Sequence, residues 1–244
     1  MIACDISATQ ECHNASAGVG IKEENHMTLM LALTLLSLSP LAGDNELTDQ
    51  EKKDGWILLF DGKTPDGWTH LPQVNVQGDG LNPNKSGNYV TVTKEKFSNF
   101  IVACDFKLTK DCNSGIFIRT ADPKDPVQTG IEIQIYDSKP ENHDKHDCAA
   151  IYDLVAPSKN TLKPLGEWNH IEITCDKNKI SVVLNGEAVA SMDLDQWSEP
   201  GKNPDGSKNK FTKALKDFAR EGFLGLQDHG QPCWFKNIKL KKVG

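Results

Sequence analysis

A carboxylate, an amide and an imidazole within reach of one another can grip a sugar or move a proton near neutral pH. Three short stretches of this chain offer such groups on alternate residues. GIEIQIYD (130–137) sets Glu132, Gln134 and Tyr136 against Ile131, Ile133 and Ile135. SGIFIR (114–119) sets Phe117 and Arg119 against Ile116 and Ile118, and GFLGLQDHG (222–230) sets Gly225, Gln227 and His229 against Leu224 and Leu226. Successive side chains of an extended strand point to opposite faces, so each stretch predicts a strand with one apolar and one polar side. If the three share a sheet, one face gathers Arg119, Glu132, Gln134, Gln227 and His229. Planar amides and charges suit sugar hydroxyls, and an aromatic suits a sugar face. A solvated outer sheet face is the plain alternative, with Arg119 paired to Glu132 across neighbouring strands. Trp168 reads as a core or edge aromatic ahead of a sugar platform.

A second cluster lies in ENHDKHD (141–147), where His143, Asp144, His146 and Asp147 crowd five residues. Two imidazoles and two carboxylates could bind a divalent metal. Off a helix the spacing is not diagnostic, and a charged loop is the competing reading. G-x-S-x-G, H-E-x-x-H, P-loop and G-x-G-x-x-G patterns are absent from the sequence, which removes the common hydrolase, zincin and nucleotide readings.

The elements that must position these groups are mostly short strands. Trp56–Phe60 is an apolar run closed by Asp61-Gly62, and Tyr89–Thr93 alternates. Phe100–Leu108 and Gly115–Arg119 follow. Ala149–Leu154 is a short apolar element. Trp168–Cys175 and Ile180–Leu184 predict a hairpin around 176–179, with Asn185-Gly186 opening the next turn. Phe223–Gln227 and Trp234–Leu240 are the last strands. Phe211–Arg220 (FTKALKDFAR) carries apolar residues at helical spacing and predicts the one clear helix, beyond a turn within 47–55. Many short strands with almost no helix predict an all-β fold, an antiparallel β-sandwich or jelly roll, in a single domain over 47–244.

The chain has 244 residues and a net charge of −7. Without a basic face it offers nothing to nucleic-acid phosphates. Residues 27–43 hold an apolar run, Leu29–Leu38, too short to span a bilayer and suited to a secretory signal, so export to the periplasm or medium is expected. Residues 1–26 then form an upstream extension. Five of the seven cysteines follow the signal: Cys104, Cys112, Cys148, Cys175 and Cys233. An exported protein could pair four of them.

Several motifs occur together in one order: WILLFDGKTPDGW (56–68), NSGIFIR (113–119), GIEIQIYD, AAIYDLVAPS (149–158), KPLGEWNHIEI (163–173), VVLNGE (182–187) and GFLGLQDHGQPCWFKNIKL (222–240). In this order they resemble the 3-keto-disaccharide hydrolase family, also described as 3-keto-glucoside lyases and 3-keto-2-hydroxyglucal hydratases, over roughly 52–243. Two positions depart from it: Ala149 where a glycine is usual, and Cys233 where an apolar residue is usual. The resemblance implies a concanavalin-like jelly roll acting on 3-keto-glycosides. That chemistry needs a base near C2, an acid for the leaving group and a group holding the enolate; the polar face offers Glu132 or His229 as the base, Arg119 or a metal for the enolate, and Asn113, Gln134, Tyr152 and Gln227 to orient hydroxyls, with Trp168 as an aromatic contact. Any metal would draw on His146, Glu132 and His229. A separate oxidoreductase must make the 3-keto substrate. A non-catalytic carbohydrate-binding module and a two-carboxylate glycosidase are the competing functions.

Overall fold

Where one face of an alternating segment is apolar, burying that face fixes its register, because a slip of one residue would expose every apolar side chain. The computed structural model describes residues 43–69 and 71–244. In it these segments become β1 (Trp56–Leu58), β2 (Val76–Gln77), β3 (Gly80–Leu81), β4 (Val90–Phe97), β5 (Phe100–Leu108), β6 (Asn113–Thr120), β7 (Ile131–Tyr136), β8 (Trp168–Asp176), β9 (Lys179–Leu184), β10 (Glu187–Asp193), β11 (Gly222–Gln227) and β12 (Cys233–Lys242). The larger sheet runs β10-β9-β8-β5-β12-β3-β2, with β1 also paired to β12; the smaller runs β4-β11-β6-β7. The pairings are antiparallel. The result is an antiparallel β-sandwich of the jelly-roll kind, and the described residues form one compact unit.

The core lies between the sheets. Ile116 and Ile118, Ile131, Ile133 and Ile135, and Leu224 and Leu226 leave the smaller sheet and meet Val102, Phe106, Ile171, Ile173, Val182, Phe235 and Leu240 from the larger one. Each such side chain, fully buried, contributes about 1.5–3 kcal/mol of transfer free energy. The polar sides of β6, β7 and β11 are thereby turned away from the core, onto the outer face of the smaller sheet.

Local chemistry explains the turns. Asn185 and Gly186 both take positive φ (51° and 83°), the conformation a two-residue hairpin requires, and they join β9 to β10. The lead-in turn is helix α1 (Asp49–Lys53), opened by a capping box between Thr48 and Glu51; the Glu51 carboxylate also holds Lys239 of β12.

The helix expected over 211–220 does not form. Phe211, Ala214, Leu215 and Phe218 are buried as its spacing predicts, but only Leu215–Asp217 makes a single 3-10 turn. The backbone groups find tertiary partners instead of helical ones. Gly201 N–H donates to Phe211 O (2.7 Å), and the Arg220 guanidinium donates to the carbonyls of Leu215, Lys216 and Phe218 (3.3, 3.0 and 2.7 Å). The other α-helix among the described residues is α2 (Pro126–Thr129), one turn with proline at its start, where the missing N–H costs nothing.

Cys104, Cys112, Cys148, Cys175 and Cys233 are free, buried thiols, so none of the pairings open to an exported protein is made among them. Burial pushes the Cys148 and Cys175 thiols up to about 12. No helix among the described residues is long and apolar enough to cross a membrane. The expected signal at 27–43 falls outside the described residues, apart from Gly43.

Candidate active site

On the outer face of the smaller sheet, one strand position without a side chain lets polar groups of the neighbouring strands meet. Gly115 of β6 sits between Gln134 of β7, its register partner, and Gln227 of β11. A Cβ at Gly115 would lie 2.8 Å from Glu132 Oε1 and 3.4 Å from Gln227 Oε1. The bare glycine therefore lets the two side chains meet across β6, where Gln227 Nε2 donates to Glu132 Oε1 at 3.0 Å. The same amide nitrogen donates to the Tyr89 hydroxyl at 2.7 Å. Gln134 Nε2 donates to Asn113 Oδ1 at 3.4 Å.

The edge of β7 is covered by the 149–154 segment. Ala149 N–H donates to Gln134 O (2.8 Å), Gln134 N–H to Ala150 O (3.0 Å), and Tyr152 N–H to Glu132 O (2.9 Å). This docks the Tyr152 ring beside Glu132. Lys210 completes the wall. Its backbone N–H donates to Asp153 Oδ2 at 2.5 Å, which swings the side chain over the Tyr152 ring, with Nζ 4.3 Å from the centroid. Nζ then donates to Glu132 Oε2 at 3.1 Å. The carboxylate side chain is 5 % exposed and the lysine 20 %. Together Tyr89, Asn113, Val127, Glu132, Gln134, Tyr152, Lys210, Gln227 and His229 enclose a cleft of about 180 Å³.

Three electrostatic features define what this cleft can do. Glu132 is the one carboxylate lining it among the described residues, and both of its oxygens are engaged, one by an ammonium and one by an amide. The side-chain oxygens of Gln134 and Gln227 are buried yet accept no hydrogen bond from the protein, so two acceptors stand ready for hydroxyl donors. Burial, and after it the negative charge of Glu132, hold the Tyr89 and Tyr152 hydroxyls above the ordinary phenol value, keeping both protonated. His229 is exposed at the mouth with its ring against Tyr89, centroids 6.1 Å apart.

Of the residues singled out by sequence, Asn113, Glu132, Gln134, Tyr152, Gln227 and His229 surround this one cleft. Three do not. Arg119 is 2 % exposed and turned away, because its φ of 52° breaks the strand alternation at the end of β6. Its guanidinium donates to Ser98 O (2.9 Å), Lys177 O (2.6 Å) and Asn99 Oδ1 (3.2 Å), so it ties loops together and neither pairs with Glu132 nor reaches the cleft. Trp168 lies on the larger sheet, under the ammonium groups of Lys107 (4.7 Å) and Lys236 (4.5 Å), whose stems cover its ring. His146 pairs with Asp153 (3.2 Å) and packs edge-on against the Tyr152 ring at 4.8 Å, so it supports the wall without lining the cleft. Among the described residues no three His, Cys, Asp or Glu side chains converge on a point where a cation could sit. With Glu132 held by Lys210 and His146 held by Asp153, these residues do not fit a metal centre.

Three lining residues, Tyr89, Val127 and Lys210, were missed from sequence. Lys210 sits in a Gly/Pro/Asn-rich loop with no periodicity to mark it, and Tyr89 reads as the first residue of a strand. The local signal for Lys210 is weak: it immediately precedes a buried aromatic, Phe211, so its backbone had to approach the core.

A family model described as the 3-keto-alpha-glucoside-1,2-lyase-like domain matches residues 55–241. The chain belongs to this family. As a member of the 3-keto-alpha-glucoside-1,2-lyase-like family it is 29% identical, over 228 residues, to a Bacteroides thetaiotaomicron protein named 3-keto-disaccharide hydrolase, a match covering 77% of this chain and 78% of that one. Two crystal structures of Parabacteroides distasonis proteins, each provisionally described as a glycosyl hydrolase, share the fold. One superposes with a TM-score of 0.65 at 31% identity, covering 77% of this chain and 99% of the other. The second gives 0.67 at 26% identity, with 83% and 100% covered.

Proposed function

We propose that this protein cleaves the glycosidic bond of 3-keto-glucosides by elimination and hydrates the resulting 3-keto-2-hydroxyglucal, for net hydrolysis. The observation that carries the reading is a single buried carboxylate bridged to an ammonium, above a glycine floor, with two unpartnered amide oxygens beside it. A glycosidase using two carboxylates would need a second acid facing the first, and the cleft lining supplies none among the described residues.

A ketone at C3 acidifies the proton on C2. Glu132 takes that proton, and Lys210, 3.1 Å from the base, donates to the C3 oxygen as negative charge develops there. The electron pair returns to form the C1–C2 double bond and expels the C1 oxygen. The Tyr89 phenol protonates that leaving oxygen. Because Tyr89 accepts its hydrogen bond from Gln227, its own proton is free to give. In the second stage water adds at C1 and C2 regains a proton, yielding 3-keto-glucose. Gln134 and Gln227 accept from sugar hydroxyls, and Asn113 and Tyr152 flank the ring. The substrate requires an oxidoreductase that converts the C3 hydroxyl to a ketone before this protein acts.

The test is direct. Wild-type protein mixed with a 3-keto-glucoside should produce a transient enone absorbance and free aglycone. Glu132→Gln should reduce the rate roughly 10²–10⁴-fold. Glycan binding with neither absorbance nor aglycone release would establish a carbohydrate-binding module instead.

A further inference from the structure

The cleft does not end at Tyr89 and Val127. Both residues also line a second hollow of about 740 Å³, within the roughly 300–1,000 Å³ typical of small-molecule sites. The chemistry changes across that boundary. On one side stand Glu132, Gln134, Gln227 and Lys210. On the other stand Val90 and Val92 of β4, facing Pro123, Pro126 and Val127 of the 122–127 segment, with Thr69 and Asn88 and the exposed Asp122, Lys124 and Asp125 also lining it. Val90, Val92 and Phe117 form an apolar cluster of their own, separate from the main core. Gly225 makes it possible: a Cβ there would lie 2.5 Å from Val90 Cγ1 and 3.2 Å from Phe117 Cβ.

The opposite wall is held in place. Thr129 Oγ1 donates to the carbonyls of Asp122 (3.0 Å) and Asp125 (2.7 Å) and accepts from Asp122 N–H (3.1 Å). Gln128 Nε2 donates to Lys210 O (2.9 Å), and Gln128 Oε1 accepts from Thr212 N–H (3.0 Å). The apolar wall and the lysine at the reaction centre are therefore clamped to each other. A wall ordered in advance loses little entropy on binding.

We propose that this second hollow is the leaving-group subsite, and that it selects leaving groups carrying an apolar ring face. The inference rests on the elimination reading of the polar cleft. Tyr89 borders both hollows, which puts its phenol beside the C1 oxygen that links a ring in one to a ring in the other. Valine methyls and proline rings make apolar contact with a ring face, while Asp122, Lys124 and Asp125 at the same hollow can meet the hydroxyls on its other side, so a leaving group is favoured when it presents apolar area to β4.

The experiment compares methyl and benzyl 3-keto-β-glucosides with the full chain. Their leaving alcohols have similar acidity, so the comparison reads binding of the ring. Benzyl is expected to exceed methyl in kcat/KM by roughly tenfold or more. Val92→Thr and Val127→Thr keep the shape but place a hydroxyl in the wall, and each should lower the benzyl-to-methyl ratio by roughly threefold or more. Should Val92→Thr fail to fold, Val127→Thr, at the partly exposed rim, carries the test. A wild-type ratio near one, or a ratio unchanged in a folded variant, overturns the subsite. Turnover of neither compound overturns the elimination reading and the subsite with it.

Discussion

Replacing Gly115 by alanine removes no catalytic group, yet it should disable the cleft. The added methyl would sit 2.8 Å from Glu132 Oε1 and 3.1 Å from Glu132 Cγ. Carbon and oxygen do not approach so closely without repulsion, so the carboxylate must swing away. Because Cγ is also crowded, rotation of the terminal carboxylate alone does not relieve the contact. A displacement approaching 1 Å breaks the 3.0 Å bond from Gln227 or the 3.1 Å bond from Lys210. Misplacement on that scale costs roughly a hundredfold in rate, or about 2.7 kcal/mol. The fold should tolerate the change. Gly115 does not take positive φ, and alanine is intrinsically favoured over glycine in a strand by about 0.5–1 kcal/mol. The assay pairs kcat/KM from enone absorbance with a thermal melt. The expected result is a large loss of rate with a melting temperature within roughly 4 °C of wild type. Activity within twofold of wild type would refute the argument that the bare floor sets the position of the base.

Lys210→Met should lower kcat/KM by roughly a hundredfold and, by leaving Glu132 buried without its cation, destabilise the protein by about 3 kcal/mol; steady-state kinetics and chemical denaturation check the two effects, and wild-type kcat would remove Lys210 from the reaction. In the proposed elimination Tyr89 gives a proton to the leaving oxygen, so activity should fall as pH rises through its raised value. The alkaline limb of kcat/KM is expected above the ordinary 10.0, in a profile measured on a substrate with an alkyl leaving group. Tyr89→Phe should lower the rate roughly tenfold or more, and a rate within twofold of wild type would reassign the acid. Arg119→Ala should act on stability alone. Losing its bonds to Ser98 O and Lys177 O costs about 3 kcal/mol, lowering the melting temperature by roughly 6–12 °C, with kcat near wild type at 20 °C below the variant's melt; a matching loss of kcat there would return Arg119 to the site.

Period-two alternation alone determined much of this protein. Ile131, Ile133 and Ile135 had to enter the core together, so Glu132 and Gln134 had to leave it together, and the same holds for Leu224 and Leu226 against Gln227. Burial of one face admits no other register, which is why an all-β sandwich and most of the polar row were legible before any coordinates. Arg119 failed the same logic because one residue at positive φ turned its side chain out of the row. The spacing in 211–220 marked burial correctly and helix wrongly: tertiary donors such as Arg220 and Gly201 satisfied the backbone first. What decided the chemistry came from distant parts of the chain. Lys210 meets Glu132 across 78 residues, and Tyr89 meets Gln227 across 138. No local pattern encodes such meetings. They follow from which strands pair within the smaller sheet and where the loops return over it, and only tertiary structure sets that.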